Sequence, residues 1–298
     1  MTSRPARYPL AIIGAGALGL HFAARLAARG PVAVVARSAA RAAALRAGVR
    51  VGDADFQPDA FGPDRLPEAD WVIILVKAGD TADAARTALA LRPRGVLSLQ
   101  NGLVENVLCE ACGALPVGQG ITTEGAFRDA DRVVPSGAGD TLLPPGFEAV
   151  ADLLVAAGLR ARVEPDILAA RLAKLLVNVA INPLAALFRV PNGALLEVPH
   201  RALLDALVAE AWPVLRAAGL QLDEAAARER VIAVATATAA NRASMLQDVL
   251  AGRRTEIDAI TGALLAMAEA QGVDLPTHRA MFTLVTRLWV GLQSDITG

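Results

Sequence analysis

Three polar side chains interrupt an otherwise apolar stretch in the second half of the chain. Lys174, Asn178 and Asn182 follow one another at intervals of four residues, among leucines, valines and alanines. On a helix this spacing places them on one face. Burying an ammonium group and two amides is costly unless partners are supplied. Hydrogen bonds between helices, with a lysine that reaches solvent, would explain the pattern, but we favour a face that contacts a ligand.

The scarcity of lysine gives Lys174 further weight. Among 29 basic residues only Lys77 and Lys174 are lysine, and asparagine is also rare. Such depletion indicates a genome biased against the codons for both residues, although chance survival explains individual cases. A buried lysine can release its proton, whereas arginine stays protonated. Lys174 is therefore the candidate for proton transfer.

A glycine-rich segment near the start has the pattern of a nucleotide-binding turn. Gly14, Gly16 and Gly19 form G-x-G-x-x-G after strand-like residues and before helix-like ones. The first glycine permits a tight turn, the second lets the backbone approach a pyrophosphate, and the third allows close helix packing. The helix N-terminus stabilises the phosphate charge. Glycine clusters also occur as plain turns, but here we predict a dinucleotide site, formed by Gly14, Ala15, Gly16, Ala17, Leu18 and Gly19.

The end of the second predicted strand indicates which dinucleotide binds. Sites that prefer NAD place an acidic residue there to hold the ribose 2′-hydroxyl. In this chain Arg37 and Ser38 follow the strand, and no acid is present. A carboxylate would repel a 2′-phosphate, whereas Arg37 can pair with it. A solvated surface cation is the alternative for Arg37, but we predict NADPH as the cofactor.

Five polar residues are weaker candidates, because each also has a local explanation. Asn241 and Ser244 would share a helix face. Asn101 and Asn192 each precede a glycine and would pass as plain turns. Glu256 would be an ordinary first-turn acid beside a capping threonine. Individually these residues indicate little.

The composition excludes several classes of protein. The net charge of −1 gives no electrostatic footprint for nucleic acid. The apolar residues 10–20 imitate a signal peptide, but their glycine pattern is better explained as the nucleotide turn. Cys109 and Cys112 lack the second pair of ligands that a zinc site needs, so we expect reduced thiols on a helix and no metal. We predict a cytoplasmic protein without a nucleic-acid or membrane partner.

Two kinds of segment divide the chain. Apolar strand-like runs alternate with helical ones in the first half, which is typical of a parallel sheet covered by helices. The strands are expected at residues 10–13, 32–36, 71–76 and 95–99, and the helices at 17–28, 39–47 and 80–91. Residues 117–143 would finish this sheet with antiparallel strands. After Pro165 only helical segments follow, at residues 166–188, 200–218, 223–250, 256–271 and 277–292.

This organisation predicts an α/β fold. A Rossmann-like dinucleotide-binding domain would occupy residues 1–165, and an all-helical substrate and catalytic domain residues 166–298.

Taken together, the motifs resemble those of the ketopantoate reductases (2-dehydropantoate 2-reductases). The resemblance covers nearly the whole chain and rests on G-A-G-A-L-G, L-V-K, Q-N-G, G-x-T-T-x-G-A, R-L-A-K-L-x-x-N-x-x-I-N-P, P-N-G, S-M-L-Q-D and T-E-I-D, in this order. It implies NADPH-dependent reduction of 2-dehydropantoate to (R)-pantoate in pantothenate and coenzyme A biosynthesis.

The resemblance also implies roles for individual residues. Lys174 matches the general acid, and Glu256 matches a glutamate that binds and orients the substrate. Lys77 and Asn101 match positions close to the cofactor and the substrate. The substrate site would be lined by Asn101, Asn178, Asn182, Asn192, Asn241 and Ser244.

Two departures from the family pattern leave the substrate open. Leu172 stands where an aromatic residue often precedes the catalytic lysine, and Ala170 replaces an acid. A reductase of another small 2-keto acid is therefore the alternative. A non-catalytic NADPH sensor is a second alternative, which the joint presence of Lys174 and Glu256 disfavours. The expected partner is a small 2-keto acid, and a homodimer is left open.

Overall fold

The computed structural model describes residues 7–294, and side chains up to residue 288. It divides the chain into two compact units. The first consists of Met1–Gln100 and Val104–Ile167, and the second of Asn101–Leu103 and Leu168–Gly298. Residues 1–6 and 295–298, which the predicted domain spans include, lie outside the described residues. The predicted boundary at residue 165 stays a prediction beside this division.

The first unit is built on a six-stranded sheet in which every neighbouring pair is parallel. The order is β5-β2-β1-β6-β7-β8, with bounds Asp59–Phe61, Val32–Val35, Arg7–Ile13, Glu68–Ile74, Gly95–Ser98 and Val117–Gln119. The central strands β1 and β6 end in continuously apolar runs, at residues 10–13 and 71–74, as expected for strands covered by helices on both faces. Leu10 and Ile12 belong to one buried cluster, and Ala11 and Ile13 to another.

The described part of this unit contains five α-helices: α1 Ala17–Ala27, α2 Ala39–Arg46, α3 Thr81–Ala90, α4 Glu105–Cys112 and α5 Glu148–Ala156. The predicted strands and helices of the first half are confirmed to within a few residues. The parallel α/β architecture of this unit is therefore confirmed as well.

The expectation for residues 117–143 is wrong in part. β8 does finish the main sheet, but it pairs parallel to β7. The later strands form two separate sheets instead, because they pair with partners outside the main sheet. One has the order β10-β11-β3-β4, at Gly125–Asp129, Arg132–Gly137, Val49–Val51 and Ala54–Phe56. The other has the order β13-β12-β9, at Arg160–Val163, Asp140–Leu143 and Ile121–Thr122.

The second unit is helical, as predicted. Its helices are α6 Ile167–Phe188, α7 Arg201–Ala217, α8 Glu224–Ala237, α9 Ser244–Leu250, α10 Ala263–Ala270 and α11 Pro276–Ser294. A 3-10 helix spans Asn192–Leu196, and a π-helix spans Asp258–Gly262. One apolar core, to which α6 contributes residues from Leu172 to Ala186, holds the unit together.

The predicted helix at residues 223–250 is wrong in its middle. A turn at residues 238–240 and a segment without regular secondary structure at residues 241–243 separate α8 from α9. Two backbone hydrogen bonds explain the break. Asn192 donates to the Asn241 carbonyl at 3.0 Å, and Gly193 donates to the Ala239 carbonyl at 3.0 Å. These contacts use carbonyls that a continuous helix would keep for itself.

α6 is the one described helix that is long and apolar enough to cross a membrane. However, 61% of its most apolar window is buried inside the protein. It also carries Lys174, Asn178 and Asn182. Burial of this kind is typical of a core helix.

Candidate active site

The glycine turn of the first unit has the geometry that the sequence predicted. Gly14 has a φ of +121°, and a Cβ there would lie 2.7 Å from the Leu75 carbonyl carbon. A Cβ at Gly19 would overlap the Gly14 carbonyl oxygen. A Cβ at Gly16 would meet nothing within 4 Å, and Gly16 is the residue before α1. The first and third glycines thus allow close packing, whereas the second faces open space.

This open space fits a phosphate group. The N-terminus of α1 leaves backbone N–H groups without partners inside the helix, and these groups favour an anion. No acidic side chain occupies the first turn of α1. The turn can therefore hold the pyrophosphate of a dinucleotide.

Two further cofactor candidates are exposed in the same unit. Arg37 lies two residues after the end of β2, and the next residue, Ser38, caps α2 by accepting a hydrogen bond from the Arg41 backbone N–H at 3.2 Å. No carboxylate stands at residues 36–38. Lys77 follows β6 and precedes the short 3-10 helix Ala78–Asp80. Both side chains carry positive charge at the end of a parallel strand, where dinucleotides bind.

The second unit holds the candidate proton donor. Lys174 lies in the first half of α6 and is half-buried. Burial lowers the pKa of Lys174 from 10.5 to about 8, and the Glu256 carboxylate acts against this shift by attraction. An amine with such a pKa is mostly protonated at neutral pH and still releases its proton readily. It has the properties of a general acid.

Glu256 is itself buried, at 9% exposure, just before the π-helix Asp258–Gly262. The structure therefore does not support the alternative that Glu256 is a surface acid beside a capping threonine. Thr255 is also buried, and the π-helix is preceded by Ile257 without a side-chain cap. The structure thus brings a buried carboxylate into electrostatic contact with Lys174.

Asn101 contacts Glu256, although 155 positions separate the two residues in the sequence. Its Nδ2 donates to Glu256 Oε2 at 3.1 Å. Gly102, with a φ of +78°, permits this approach, because a Cβ there would overlap the Ala259 carbonyl oxygen. Leu103 N–H also donates to the Ala259 carbonyl, at 3.3 Å. Hydrogen bonds therefore hold residues 101–103 against the segment that contains Glu256.

Asn178 and Asn182 lie one and two turns after Lys174 on α6, as predicted. Asn178 is half-buried and Asn182 is buried. Asn182 precedes Pro183, which lies within the helix. The predicted polar face of a single helix is confirmed, whereas the roles of both amides stay predictions.

Asn192 is buried at the start of its 3-10 helix. Its Nδ2 donates to Thr238 Oγ1 at 2.9 Å, while its Oδ1 is buried without a hydrogen-bond partner. Buried acceptors are rarely left unpaired. An unpaired oxygen at this position is what a site for a hydroxyl-bearing ligand would present.

The expected helix face shared by Asn241 and Ser244 is wrong. Asn241 lies in the segment before α9, and Ser244 is the first residue of that helix. Both are exposed. The backbone of Asn241 is held by Asn192, as described above, so this asparagine is placed by a loop.

Two features were missed by the sequence reasoning. Arg171, three residues before Lys174 on α6, is buried at 6% exposure; its i, i+3 spacing from the lysine was the available signal. His21 on α1 and Glu124 form a buried pair, with His21 Nε2 and Glu124 Oε2 2.9 Å apart. Glu124 occupies the second variable position of the motif G-x-T-T-x-G-A, and nothing in the sequence indicated this contact.

The two cysteines occupy α4, as expected, and both are free thiols. Cys109 is exposed and Cys112 is buried. Among the described residues no group of three or more His, Cys, Asp or Glu side chains could hold a metal ion.

An α/β unit with a dinucleotide-type glycine turn and a helical unit with a half-buried lysine of lowered pKa define a nicotinamide-dependent oxidoreductase. Comparison with known families agrees. Residues 10–146 match the family model described as Ketopantoate reductase PanE/ApbA, and residues 166–288 match Ketopantoate reductase PanE/ApbA C terminal. The chain belongs to the ketopantoate reductase family.

Individual relatives support this membership. A 2-dehydropantoate 2-reductase from Archaeoglobus fulgidus is 35% identical over 296 residues, which covers 94% of this chain and 98% of the relative. The solved structure of a probable 2-dehydropantoate 2-reductase from Bacillus subtilis is 31% identical, with a TM-score of 0.79, and covers 94% of this chain and 99% of its own. D-mandelate dehydrogenase, with NADH and anilino(oxo)acetate, has a TM-score of 0.87 at 23% identity over 95% and 99% of the two chains, and shows the same fold.

Proposed function

We propose that this protein reduces 2-dehydropantoate to (R)-pantoate with NADPH, and that Lys174 is the general acid. The observation that carries the proposal is the half-buried Lys174 with a pKa of about 8, attracted by the buried Glu256. Membership of the ketopantoate reductase family supports the substrate. The product would serve the synthesis of pantothenate and coenzyme A.

Lys174 and Glu256 together account for the proposed proton transfer. When bound, NADPH supplies the hydride. The ketone oxygen gains negative charge as its carbon is reduced, and the Lys174 ammonium stabilises that charge. Lys174 Nζ then donates the proton that completes the alcohol. Glu256 keeps a larger fraction of the lysine protonated, and Asn101 holds the Glu256 carboxylate in place by its hydrogen bond.

Substrate binding would use amides and a hydroxyl. The unpaired Asn192 Oδ1 supports a role for this residue as acceptor for the substrate hydroxyl. Asn178 and Asn182 continue the polar face of α6 beyond Lys174 and would donate to the substrate carboxylate. Asn101, Asn241 and Ser244 complete the proposed set, and Glu256 would also orient the substrate.

Cofactor binding would use the glycine turn at residues 14–19. Its open side at Gly16 supports a pyrophosphate there. Arg37 would pair with the 2′-phosphate, which makes NADPH the preferred cofactor. Lys77 and Asn101 are proposed to lie near the nicotinamide end.

Steady-state kinetics with matched substrates test the proposal. 2-Dehydropantoate and 3,3-dimethyl-2-oxobutanoate differ only in one hydroxyl group. We expect kcat/KM with NADPH to be at least about 100-fold higher for 2-dehydropantoate, because a site that binds a hydroxyl rejects the analogue without it. (R)-Pantoate should be the product by chiral chromatography. Binding of NADPH without turnover of any 2-keto acid would contradict the proposal and favour a sensor.

A second candidate is a reductase of another small 2-keto acid. The observation in its favour is the high structural similarity to D-mandelate dehydrogenase, together with Leu172 and Ala170 at positions where the family pattern differs. Phenylglyoxylate, the keto acid that corresponds to mandelate, distinguishes the two candidates in the same assay. A higher kcat/KM for phenylglyoxylate would favour the second.

The proposed setting is the cytoplasm, without a nucleic-acid or membrane partner. The net charge of −1 supports the first absence, and the burial of α6 supports the second. A homodimer is also proposed, and sedimentation velocity of the purified protein tests it.

A further inference from the structure

A π-helix, a rare type of helix, spans Asp258–Gly262 just after Glu256. Such helices have i→i+5 hydrogen bonds, occur mostly as single turns and are frequent at functional sites. Within the described residues, the hydroxyl group of Thr261 in this turn is fully buried and has no hydrogen-bond partner. Leaving a buried hydroxyl unpaired costs free energy. Contacts from outside the π-helix are therefore needed to stabilise it.

Residues 101–103 supply contacts of this kind at two points. The Leu103 backbone N–H donates to the Ala259 carbonyl at 3.3 Å, and Asn101 Nδ2 donates to Glu256 Oε2 at 3.1 Å. The backbone joins the two points, because the Glu256 carbonyl accepts the Ala259 N–H at 3.1 Å. A displacement of residues 101–103 away from Ala259 would therefore also move Asn101 away from the Glu256 carboxylate.

Gly102 lies between the two donors, where a side chain has no room. Its φ of +78° is in the left-handed region that favours glycine. A Cβ at residue 102 would overlap the Ala259 carbonyl oxygen and would lie 2.7 Å from the Ala259 carbonyl carbon. These are backbone atoms of a helix, which cannot rotate away as the end of a flexible side chain can. Any other residue at this position would push the segment away from the π-helix.

We propose that Gly102 is a positioning residue for the proton-transfer pair. Its close approach to Ala259 keeps Asn101 bonded to Glu256, and it thereby keeps the Glu256 carboxylate in electrostatic contact with Lys174. This inference rests on the proposed function, since it concerns the same lysine. It adds a residue that acts on the proton donor only through its neighbours.

Lys174 itself reports where the carboxylate lies. Glu256 attracts the ammonium group and raises the pKa of Lys174, against the effect of burial. Arg171, a buried cation, precedes Lys174 by three residues on the same helix, so α6 itself sets the distance between them. A lower pKa of Lys174 after a replacement at residue 102 would therefore report a displacement of Glu256.

NMR titration of full-length protein labelled with ε-¹³C lysine tests the inference without relying on turnover. The chain contains two lysines, Lys77 and Lys174, and Lys77→Arg assigns their signals. Glu256→Gln removes the attraction and should lower the pKa of Lys174 from about 8 by about one pH unit or more. Gly102→Ala should produce at least about half of that decrease. In the double variant the two effects should not add, because both act through the same carboxylate.

Gly272→Ala is the matched control. Gly272 belongs to the same unit and has a φ of +70°, but a Cβ there would meet nothing within 4 Å. The replacement introduces a similar backbone strain without a close approach to another segment. The pKa of Lys174 should stay within about 0.2 pH units of the wild type, because sites without shared partners act independently.

Three results would overturn the inference and leave the proposed function intact. They are an unchanged pKa of Lys174 in Gly102→Ala, an equal decrease in Gly272→Ala, and full additivity with Glu256→Gln. Wild-type protein that reduces no 2-keto acid, although its variants show the expected decrease, would overturn the proposed function alone. Circular dichroism establishes that each variant is folded. If Gly102→Ala is not, Gly102→Asn decides by the same criteria, because asparagine tolerates a positive φ and still brings a Cβ to Ala259.

Discussion

The replacement Glu256→Gln should shift the pH dependence of the reaction. In the wild type, burial lowers the pKa of Lys174 to about 8 while the Glu256 carboxylate raises it. Reduction needs the ammonium form, so kcat/KM for the ketone should be constant below pH 8. It should fall tenfold per pH unit above that value. Oxidation of pantoate needs the neutral amine and should rise with pH up to about 8.

Removing the carboxylate leaves the effect of burial unopposed, and the pKa of Lys174 should fall. A nearby opposite charge typically accounts for about 1–3 pKa units. With a shift of about one unit, the protonated fraction at pH 8 falls from one half to roughly one tenth, a loss of about fivefold. The inflection of the profile is diagnostic, because loss of substrate contacts lowers kcat/KM at every pH.

The assay is initial rates of NADPH oxidation between pH 6 and 10, with kcat/KM reporting the free enzyme. Asp258→Asn is the matched control, since Asp258 is exposed and pairs with Arg254 at 2.9 Å. Its inflection should stay near pH 8. A profile of Glu256→Gln that is identical in position to the wild type would refute the reasoning.

Three further predictions concern the cofactor, the thiols and the core. Arg37→Asp should reduce the ratio of kcat/KM for NADPH over NADH by at least about tenfold, since it replaces attraction of the 2′-phosphate by repulsion; an unchanged ratio would mean that Arg37 is a surface cation. Ellman's reagent should modify Cys109 rapidly in the native protein and Cys112 only on unfolding, because burial raises the pKa of the Cys112 thiol. Leu176→Ala should lower the free energy of unfolding by about 2–5 kcal/mol in urea titrations, as Leu176 is fully buried; a smaller loss would indicate that the core of the second unit relaxes.

The sequence predicts the parallel sheet well, because its signals are local. Continuous apolar runs indicate buried parallel strands, and glycines mark the turn that follows β1. The two small sheets carry no such signal. Val49–Val51, a three-residue strand that is exposed or half-buried, pairs with β11 about 80 positions later. Such non-local pairing depends on tertiary structure alone.

The helical unit shows the same limit. The break after α8 contains neither proline nor glycine, so local propensity favours an uninterrupted helix. The hydrogen bonds from Asn192 and Gly193 decide otherwise. Tertiary contacts thus place Asn241 in a loop, where sequence periodicity put it on a helix.

In the candidate site, too, some features could be predicted from the sequence and others could not. The stripe of Lys174, Asn178 and Asn182 is predictable from a period of four. The contact between Asn101 and Glu256 joins distant segments and needed the structure. The pair of His21 and Glu124 belongs to the same class, since nothing in the local sequence of either residue indicates its partner.

The proposed mechanism depends on proton donation by Lys174. The most direct measurement is kcat for the reduction of 2-dehydropantoate by saturating NADPH at pH 7, in the wild type and in Lys174→Ala. The replacement should lower kcat by at least about 100-fold, as expected for removal of a general acid. Turnover of Lys174→Ala near the wild-type rate would contradict it.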